Sequence, residues 1–381
     1  MQRLNKVLLC FLLMFVMSPV ILACAGKTGN IGFNYVLNEE KTEYAVRSKV
    51  GYANGIAPEI PETHNGKPVT AIDDGGFRGA LAFISITIPE TVKKIGHEAF
   101  RNCEGLTIIM KSTVPPTQDK SFIGVVYYGT KAIIVPASAV ETYKEAWPEF
   151  KNIIYSDANV SGSFLIVDGA LVSYFGGDEE VIIPTSAVKV NSRAFYNNEL
   201  IHKVKLADTT TELASNAFSG CKHLEEISVS ASNVAFSSKD GILYNKTVTS
   251  VIFIPANLGG EITIPNGITQ MGFQNTGYFV GRNITSIKFP QSGYTRLVGG
   301  FFRDCGNLSN VMLPSDLDYI GTAAFENCRK LKEIIIPASV TQIETDAFKG
   351  CSGLTIKCKA TEAPVGFKTN WNSGFTIVWG A

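Results

Sequence analysis

The chain has 381 residues, and its 34 lysines and arginines are balanced by 34 aspartates and glutamates. This balance excludes a protein that binds nucleic acid or an anionic membrane mainly through its charge. Hydrophobic residues make up 45% of the chain and charged residues only 18%, a composition that excludes wholesale disorder. The length is typical of two or more domains.

Residues 1–23 have the pattern of an export signal. A short basic start precedes an apolar run over residues 7–23, which Ser18 and Pro19 interrupt near its end. The run is marginal in length for a membrane-spanning helix, and the interruption suits a signal peptide better. We therefore predict a signal peptide over residues 1–23 and a mature protein outside the cytoplasm.

The end of this signal is compatible with several processing routes. Residues 21–24, Ile-Leu-Ala-Cys, resemble a bacterial lipobox, in which the cysteine becomes diacylated and N-terminal, although Ile21 and Leu22 depart from its usual residues. The lipobox predicts Cys24 as the lipid attachment site of an outer-membrane or cell-surface lipoprotein, with membrane contact only through that anchor. The alternatives are ordinary cleavage at the A-x-A pattern of residues 23–25, which predicts a secreted protein, and an uncleaved anchor.

A repeat of 23 residues occupies most of the remaining chain. Its pattern is L-x-x-I-x-I-P-x-x-V-x-x-I-x-x-x-A-F-x-x-C, and degenerate copies lie at residues 181–195 and 262–273. Five copies end in a cysteine at the same position: Cys103, Cys221, Cys305, Cys328 and Cys351. The last three of these are 23 residues apart, as are the phenylalanines three positions before them. Such a period is the signature of a repeat architecture.

The copy at residues 331–351 shows why the repeats must stack. Residues 331–336 fit a short strand with an apolar inner side, and Pro337 ends its run of hydrogen bonds. The apolar residues that follow recur at steps of three and four, which suits a turn that folds back over the strand. A lone unit cannot enclose this apolar face, so the sequence predicts a solenoid whose phenylalanines form a buried ladder.

The unit resembles the BspA-type leucine-rich repeat, found in surface proteins of host-associated anaerobic bacteria. The resemblance implies an α/β-type repeat solenoid, a right-handed leucine-rich-repeat superhelix with short parallel strands, irregular or helical turns and hairpin inserts. Residues 168–174 and 239–246 are similar to the hairpin inserts of the family, residues 131–147 to its closing repeat, and residues 370–380 to its C-terminal cap. It implies a role in adhesion or ligand binding at the cell surface, and no enzymatic activity.

The predicted organisation along the chain has four parts. They are the signal peptide, 1–23; an N-terminal linker and cap, 24–60; a first leucine-rich-repeat block with its closing repeat, 61–155; and a second array with a C-terminal cap, 160–381. Residues 33–37 and 43–47 could pair as a two-stranded cap, and residues 139–150 have helical composition until Pro148. Whether the two blocks form one superhelix or two bodies stays open.

The cysteines and histidines do not predict a metal or catalytic site. Five cysteines occupy one repeat position, so we predict free, buried thiols, the alternative being one disulfide with Cys358. No C-x-x-C pattern is present, and His97 and His223 fall in turns, where they should face solvent. Neither a nucleophile elbow nor a nucleotide-binding loop is found in the sequence. We predict no catalytic residues, no metal and no cofactor.

The outward-facing strand residues are expected to form columns across the repeats. One column reads Thr87, Ile182, Lys205, Ser228, Thr263, Lys288, Met312 and Ile335. The next reads Ser85, Glu180, Lys203, Glu226, Glu261, Ser286, Asn310 and Glu333. Charge pairing of Lys203 with Glu180 and Glu226 explains part of this pattern. The candidate binding residues are Lys205, Lys288, Met312 and Ile335, and the alternative is a solvated surface without a role.

Aromatic residues cluster where the repeat is interrupted. Tyr127 and Tyr128 lie in an irregular loop between two glycines, where exposed aromatics suit contact with a partner, so both are candidate binding residues. Trp371 and Trp379 belong to the cap and are expected to close the core. Because neither strand column contains an aromatic residue, no sugar-stacking platform is predicted on that face.

Three functions are compatible with these features. The first is a non-enzymatic surface protein that presents its repeats to an extracellular protein or glycan, such as a host matrix or mucosal component. The second is a structural or assembly component of the cell envelope. The third, a carbohydrate-active enzyme, needs convergent carboxylates in a cleft, and adjacent acids such as Asp73 and Asp74 point to opposite faces of a strand.

Overall fold

A computed structural model describes residues 32–49, 57–81, 83–118, 122, 130–268 and 278–381. Over these residues the chain forms a β-solenoid with turns of about 23 residues, which confirms the predicted leucine-rich-repeat architecture. Most turns contribute a strand of three to six residues and, after a bend, a strand of two residues that the sequence did not indicate. The two kinds of strand form separate parallel sheets with the core between them.

The first block and the N-terminal cap before it together contain two sheets and the longest helix of the described chain. Its strands are β1 (Phe33–Leu37), β2 (Tyr44–Ser48), β3 (Thr63–His64), β4 (Lys67–Ile72), β5 (Ser85–Ile88), β6 (Lys94–Ile95), β7 (Thr107–Met110), β8 (Thr117–Gln118), β9 (Ala132–Val135) and β10 (Ile154–Ser156). The sheet orders are β10-β9-β7-β5 and β1-β2-β4-β6-β8, with β3 beside β4. The antiparallel pair β1–β2 forms the expected two-stranded element.

Helix is scarce in this protein, and the expectation of an α/β-type solenoid is wrong in that respect. Among the described residues the helices are α1 (Val140–Ala146) and the 3-10 helices Ala137–Ala139, Pro148–Ile153 and Asp157–Asn159. Most repeat turns stay irregular because they contain residues with positive φ on both sides of the Ala-Phe pair or its equivalent, whereas the turn at Ala217-Phe218 has only Gly220, after the pair. In one turn these are Ala323 at 56° and Asn327 at 61°, and a left-handed residue every fourth position breaks a right-handed helix.

The second block contains parallel strands interrupted by two antiparallel hairpins. Its strands are β11 (Val160–Ser161), β12 (Phe164–Val167), β13 (Ala170–Tyr174), β14 (Glu180–Ile182), β15 (Lys189–Val190), β16 (Lys203–Leu206), β17 (Glu212–Leu213), β18 (Glu226–Val229), β19 (Phe236–Lys239), β20 (Ile242–Asn245), β21 (Val251–Phe253), β22 (Gly259–Thr263), β23 (Asn283–Lys288), β24 (Arg296–Leu297), β25 (Asn310–Met312), β26 (Tyr319–Ile320), β27 (Glu333–Ile336), β28 (Gln342–Ile343), β29 (Thr355–Cys358), β30 (Gly366–Phe367) and β31 (Thr376–Trp379).

The two hairpins lie where the sequence predicted inserts. β12 pairs with β13, and β19 pairs with β20, each through an Asp-Gly turn. In the second hairpin Asp240 has φ of 50° and Gly241 has φ of 78°. Two successive residues with positive φ twist the chain in the sense that antiparallel strands require, which explains the Asp-Gly sequence.

The recurrent phenylalanines form the predicted ladder in the core. Phe302, Phe325 and Phe348 are completely buried, and the ring centroids of successive pairs lie 5.2 Å apart. Trp371, packed 6.2 Å from Phe348, covers the end of this stack, as expected for a residue of the cap. In the first block Phe77 and Phe100 stack in the same way, at 5.5 Å. Each ring therefore completes the core of its neighbour.

The two blocks are joined by the hairpin β12–β13. Leu165 and Phe175, which are buried, pack with Ile109 and Ile134 on the outward face of the first block's sheet. Phe164, the neighbour of Leu165 along β12, instead packs against the core of the second block. Successive residues of a strand face opposite sides, so this hairpin is a layer shared by both blocks.

Candidate functional site

The cysteines of the described chain are free and buried, as predicted. They are Cys103, Cys221, Cys305, Cys328, Cys351 and Cys358. The five repeat thiols donate hydrogen bonds to the carbonyl oxygen of the phenylalanine one repeat earlier, for example from Cys305 Sγ to Phe279 O at 2.8 Å. Burial raises the pKa of the Cys221 and Cys305 thiols to about 12, so these groups are protonated, structural donors.

Two of the four histidines, His202 and His223, stack with their ring centroids 5.9 Å apart, and the other two lie elsewhere. His97 and His223 are exposed, as expected for turn residues. His64 stacks on Tyr35 at 3.6 Å, and His202 Nδ1 lies 3.3 Å from the Glu225 carboxylate. Within the described ranges no group of three or more His, Cys, Asp or Glu side chains is arranged to hold a metal ion.

Outward-facing strand residues of the second block form three in-register rows. Ile182, Lys205 and Ser228 pair across β14, β16 and β18. Thr263, Lys288 and Met312 pair across β22, β23 and β25, and Ile335, Lys357 and Val378 across β27, β29 and β31. We call these nine residues the outward column. The structure thus brings the candidate residues Lys205, Lys288, Met312 and Ile335 onto one face.

Lys357 and Val378 extend this column but were not selected from the sequence. Their strands β29 and β31 lie 22 and 21 residues after the preceding ones, so a strict 23-residue period loses their phase. Both residues could have been identified by aligning the strands on their inward-facing apolar residues, which include Ile356 and Ile377. Of the other candidate residues, Cys24, Tyr127 and Tyr128 lie outside the described residues.

Several aliphatic side chains of the outward column are exposed. The exposed fractions are 69% for Ile182, 47% for Met312, 45% for Ile335 and 41% for Val378. Repeats normally use outward strand positions for polar residues, because these positions contribute nothing to the core. A series of exposed aliphatic residues on one rigid face is therefore a feature that packing within the chain does not explain.

The equivalent column of the first block is covered. Thr87 pairs with Ile109 and Ile109 with Ile134, in the same register as the outward column of the second block. The hairpin β12–β13 buries Ile109 and Ile134, which are only 6% and 1% exposed. Thr107 and Ser173, each two residues before a member of this apolar contact, form a buried hydrogen bond of 2.9 Å between their hydroxyl groups, which links the two blocks.

Charged residues of the adjacent column pair across the strands. Lys203 lies between Glu180 and Glu226 in the strand register, as predicted, and its Nζ is 3.5 Å from Glu180 Oε1. At the other end of the array the pair joins the two columns: Nζ of Lys357, in the outward column, is 2.8 Å from Oε2 of Glu333, in the adjacent column. These pairs are solvent-exposed, and each contributes roughly 0–1 kcal/mol to stability.

The outward sheet is interrupted between β18 and β22, where the turn of the hairpin β19–β20 takes the place of a parallel strand. A cleft of about 420 Å³ opens there. Its lining consists of Lys203, Glu225, Glu226, Asp240, Gly241, Asn257, Leu258, Gly259 and Asn283. Sequence reasoning missed this cleft because it depends on how far the hairpin separates the two strands.

A hydrogen-bonded row of polar side chains runs along one wall of the cleft. The His202 ring bonds to Glu225 at 3.3 Å, and the Asn257 amide donates to Glu225 Oε1 at 3.2 Å. The Asn283 amide then donates to Asn257 Oδ1 at 2.6 Å, and Asn307 continues the row to Asn283 at 3.5 Å. These residues lie at or shortly before the starts of successive strands, a shared position from which the row could have been recognised.

The sheet arrangement, the 23-residue period and the phenylalanine ladder define a leucine-rich-repeat-type β-solenoid. Comparison with family models is consistent with this class: the model described as the BspA type leucine rich repeat region matches residues 67–158, 178–260 and 244–355. These matches cover more than half of the chain. The chain therefore belongs to the BspA-type leucine-rich repeat family.

The comparison with solved structures finds bacterial leucine-rich-repeat proteins to which the chain is similar. A leucine rich cell surface protein from Faecalibacterium prausnitzii is 22% identical, with 92% of this chain and 93% of that chain covered and a TM-score of 0.45. The pneumococcal vaccine antigen PcpA is 18% identical, with coverages of 94% and 85% and a TM-score of 0.40. A leucine-rich repeat protein from Bacteroides ovatus is 19% identical, with both coverages 88% and a TM-score of 0.36. No curated protein matches the chain.

In the part of the chain that the structure describes, no helix has the length and apolarity needed to cross a bilayer.

Proposed function

We propose that this chain is a non-enzymatic protein of the cell surface that binds a partner protein through the outward column of its second block. The contrast between the two blocks carries this proposal. In the first block a hairpin of the same chain buries Ile109 and Ile134, whereas in the second block Met312 and Ile335 of the same column are exposed. A layer packed against that column would bury them in the same way.

The side chains of the column favour a protein over a glycan. Burying one aliphatic side chain contributes roughly 1.5–3 kcal/mol, and Met312 and Ile335 are neighbours one repeat apart. Aromatic platforms on which sugars stack are absent from the nine residues of the column. Because the column residues are fixed on strands, the solenoid would lose little conformational entropy on binding.

Export to the cell surface is the second part of the proposal. It is supported by the signal-like leader over residues 1–23 and by the lipobox-like residues before Cys24. Anchored through Cys24, the solenoid would present its outward column to an extracellular partner, for which a host matrix or mucosal protein is the class we test first. Neither nucleic acid nor a cofactor enters the proposal.

A carbohydrate-active enzyme is less well supported, although the cleft brings Glu225, Glu226 and Asp240 to one place. Glycoside hydrolysis needs one carboxylic acid that stays protonated, a state that enzymes obtain by burial. Here the Glu225 side chain is 44% exposed and Asp240 is exposed as well. The lining of the cleft therefore contains no buried carboxyl group of the kind that this chemistry uses.

The experiment that tests the proposal is a binding screen with the mature chain. The protein is immobilised and presented with extracellular-matrix, mucosal and bacterial-surface fractions, and the retained proteins are compared with those retained by the M312S/I335S/V378S variant. We expect a retained protein whose binding falls at least tenfold in the variant, because three apolar contacts are removed.

The matched control is Val365→Ser, which changes a completely exposed aliphatic residue outside the column. Loss of binding in the control as well would show that the column is not the site. If no fraction is retained and the protein instead co-purifies with other envelope proteins, the chain is a component of an envelope assembly, and the proposed function is wrong.

A further inference from the structure

The cleft beside the hairpin β19–β20 has a construction that the regular repeats lack. The turn of the hairpin bridges the strands on either side of it: Ile227 N donates to Gly241 O at 3.0 Å, and Thr263 N donates to Asp240 Oδ2 at 3.0 Å. The interruption therefore leaves both strand edges hydrogen-bonded, and the open space lies on the outer side. One hydrogen bond on each side therefore fixes the turn of the hairpin between the two strands, beside an open cleft.

The charges around the cleft favour a cation. Three carboxylates line it, from Glu225, Glu226 and Asp240, against one ammonium group, that of Lys203. That ammonium is already paired with Glu180, which lies outside the cleft. The Glu226 carboxylate makes no hydrogen bond or ion pair with any other residue that the structure describes. The lining thus presents acceptor oxygens in excess of donors.

The size and spacing of the lining exclude the smallest cations. The three carboxylates are not placed closely enough to hold a metal ion. A cavity of about 420 Å³ instead has room for a whole side chain, and the two glycines of its lining, Gly241 and Gly259, have no side chains to obstruct it. The cation that fits is therefore an organic group that spans several acceptors.

We propose that this cleft binds the guanidinium group of an arginine presented by a protein partner. Guanidinium carries five N–H donors in a planar fork, so it can bond to several carboxylate and amide oxygens at once. The oxygens of Glu226, Asp240 and Asn283 supply such acceptors. An ammonium group, as a compact point charge, would reach fewer of them.

This inference rests on the proposed function, since the arginine belongs to the protein partner of the outward face. Lys203 and Glu226 are in the strand column next to the outward column, so both surfaces lie on the same face of the array. A partner layer on Met312 and Ile335 could therefore place a side chain into the cleft. The apolar residues would supply affinity, and the cleft would select for arginine.

The test uses small probes on the full mature protein, without a partner. N-acetylarginine amide is titrated into isotope-labelled protein while the side-chain amide resonances of Asn257 and Asn283 are followed by NMR. We expect saturable shifts, weaker binding of the lysine analogue, and no shift with the neutral isostere N-acetylcitrulline amide. Added salt should weaken the arginine affinity, because the attraction is between exposed charges.

Two variants locate the interaction. Glu226→Gln removes a charge from the cleft and should weaken arginine binding roughly threefold to fivefold, as expected for one exposed ion pair. Glu333→Gln, which changes the equivalent strand position outside the cleft, should leave the affinity unchanged. Thermal unfolding of both variants verifies that the fold is intact.

Three results would overturn the assignment. They are the absence of saturable shifts, equal shifts with citrulline and arginine, and unchanged affinity in Glu226→Gln. Shifts produced by a neutral saccharide in place of arginine would identify the cleft as a sugar site. Because the probes need no partner, these outcomes are independent of the binding screen, in which the outward column is tested separately.

Discussion

The thiol of Cys328 donates a hydrogen bond of 3.2 Å to the carbonyl oxygen of Phe302, which lies 26 residues earlier in the chain. Five cysteines at the same repeat position make this contact, so the thiols tie each turn to the one before it. The bond explains why cysteine occupies a position where packing alone would accept alanine. It also makes the contribution of the thiol measurable.

We expect Cys328→Ala to lower the free energy of unfolding by about 1–2 kcal/mol, from the lost hydrogen bond and the small cavity left behind. Cys328→Ser keeps a donor of similar size and should restore part of the loss. Denaturant unfolding of both variants measures the difference. Equal stability of wild type and Cys328→Ala would show that neither the hydrogen bond of the thiol nor its volume contributes to stability.

Phe325 is the central ring of the ladder, stacked between Phe302 and Phe348 at 5.2 Å on each side. Phe325→Ala should destabilise the protein by about 3–5 kcal/mol, because it leaves a large cavity shared by two neighbouring turns. Val234→Ala is the control, since Val234 is 71% exposed and should change stability by less than about 0.5 kcal/mol. A small effect at Phe325 would contradict the continuous core.

Gly321 marks a close approach between two turns. A β-carbon at this position would lie 2.5 Å from the backbone nitrogen of Gly299, which belongs to the preceding turn. Gly321→Ala should therefore force the turns apart and cost about 1–3 kcal/mol. Gly306→Ala, where a β-carbon would meet open space, is the matched control for the loss of a glycine. Similar melting temperatures for the two variants would exclude the close approach.

Lys131 lies between the two blocks, where its ammonium group donates to the carbonyl oxygen of Ala194. Burial lowers the pKa of Lys131 from an ordinary value of 10.5 to about 7. Between these values the unfolded chain holds a proton that the folded chain has released, so stability should rise with pH. The effect of Lys131 is best measured between pH 7 and pH 9. Above the ordinary cysteine pKa of 9.0, the unfolded chain loses thiol protons that the folded chain keeps, and stability falls with pH for that reason.

The measurement for Lys131 is the free energy of unfolding at pH 7 and pH 9 in wild type and in Lys131→Met. The variant should lose part of the increase with pH, because its side chain cannot bind a proton. Lys349→Met removes a lysine that is 59% exposed and should keep the wild-type increase. An identical pH dependence in all three proteins would mean that Lys131 keeps its proton in the folded state.

Cys24 is predicted to carry the lipid anchor. Cys24→Ala should abolish incorporation of a labelled fatty acid in cells and release the protein from the membrane fraction. Cys358→Ala, which removes a thiol outside the leader, controls for the loss of a cysteine. Labelling that persists in Cys24→Ala would exclude lipidation at this position and favour one of the other processing routes.

The sequence predicted the core better than the surface. The phenylalanine and cysteine positions represented by Phe325 and Cys328 recur at a fixed interval because each turn must complete the core of its neighbour. Their burial therefore follows from the period alone. The two-residue strands, such as Gln342–Ile343, are too short to produce an alternating pattern, so the sequence predicts only a turn at these positions. Of the irregular or helical turns that the resemblance implied, the irregular form is present, and the positive φ of residues such as Ala323 that produces it has no signal in hydrophobicity.

The candidate site was harder to predict than the core, because it depends more strongly on contacts between residues that are distant in the sequence. The register of Lys205 with Ile182 and Ser228 was predictable, since it follows from the repeat. The burial of Ile109 under Leu165 was not, because it depends on where a hairpin from the next block folds back. For the same reason the cleft next to Asp240 had no counterpart in the sequence pattern.

The hairpin β12–β13 has Leu165 against the first sheet and Phe164 against the second core, so it serves as a common wall. A pulling force between the two blocks would have to shear this apolar layer and the Thr107–Ser173 bond together before either block could move. The contact would therefore resist separation of the two blocks under load. Separating the blocks by cutting the chain just before the hairpin would instead expose two apolar surfaces, one with Ile109 and Ile134 and one with Leu165 and Phe175, and cause the fragments to aggregate.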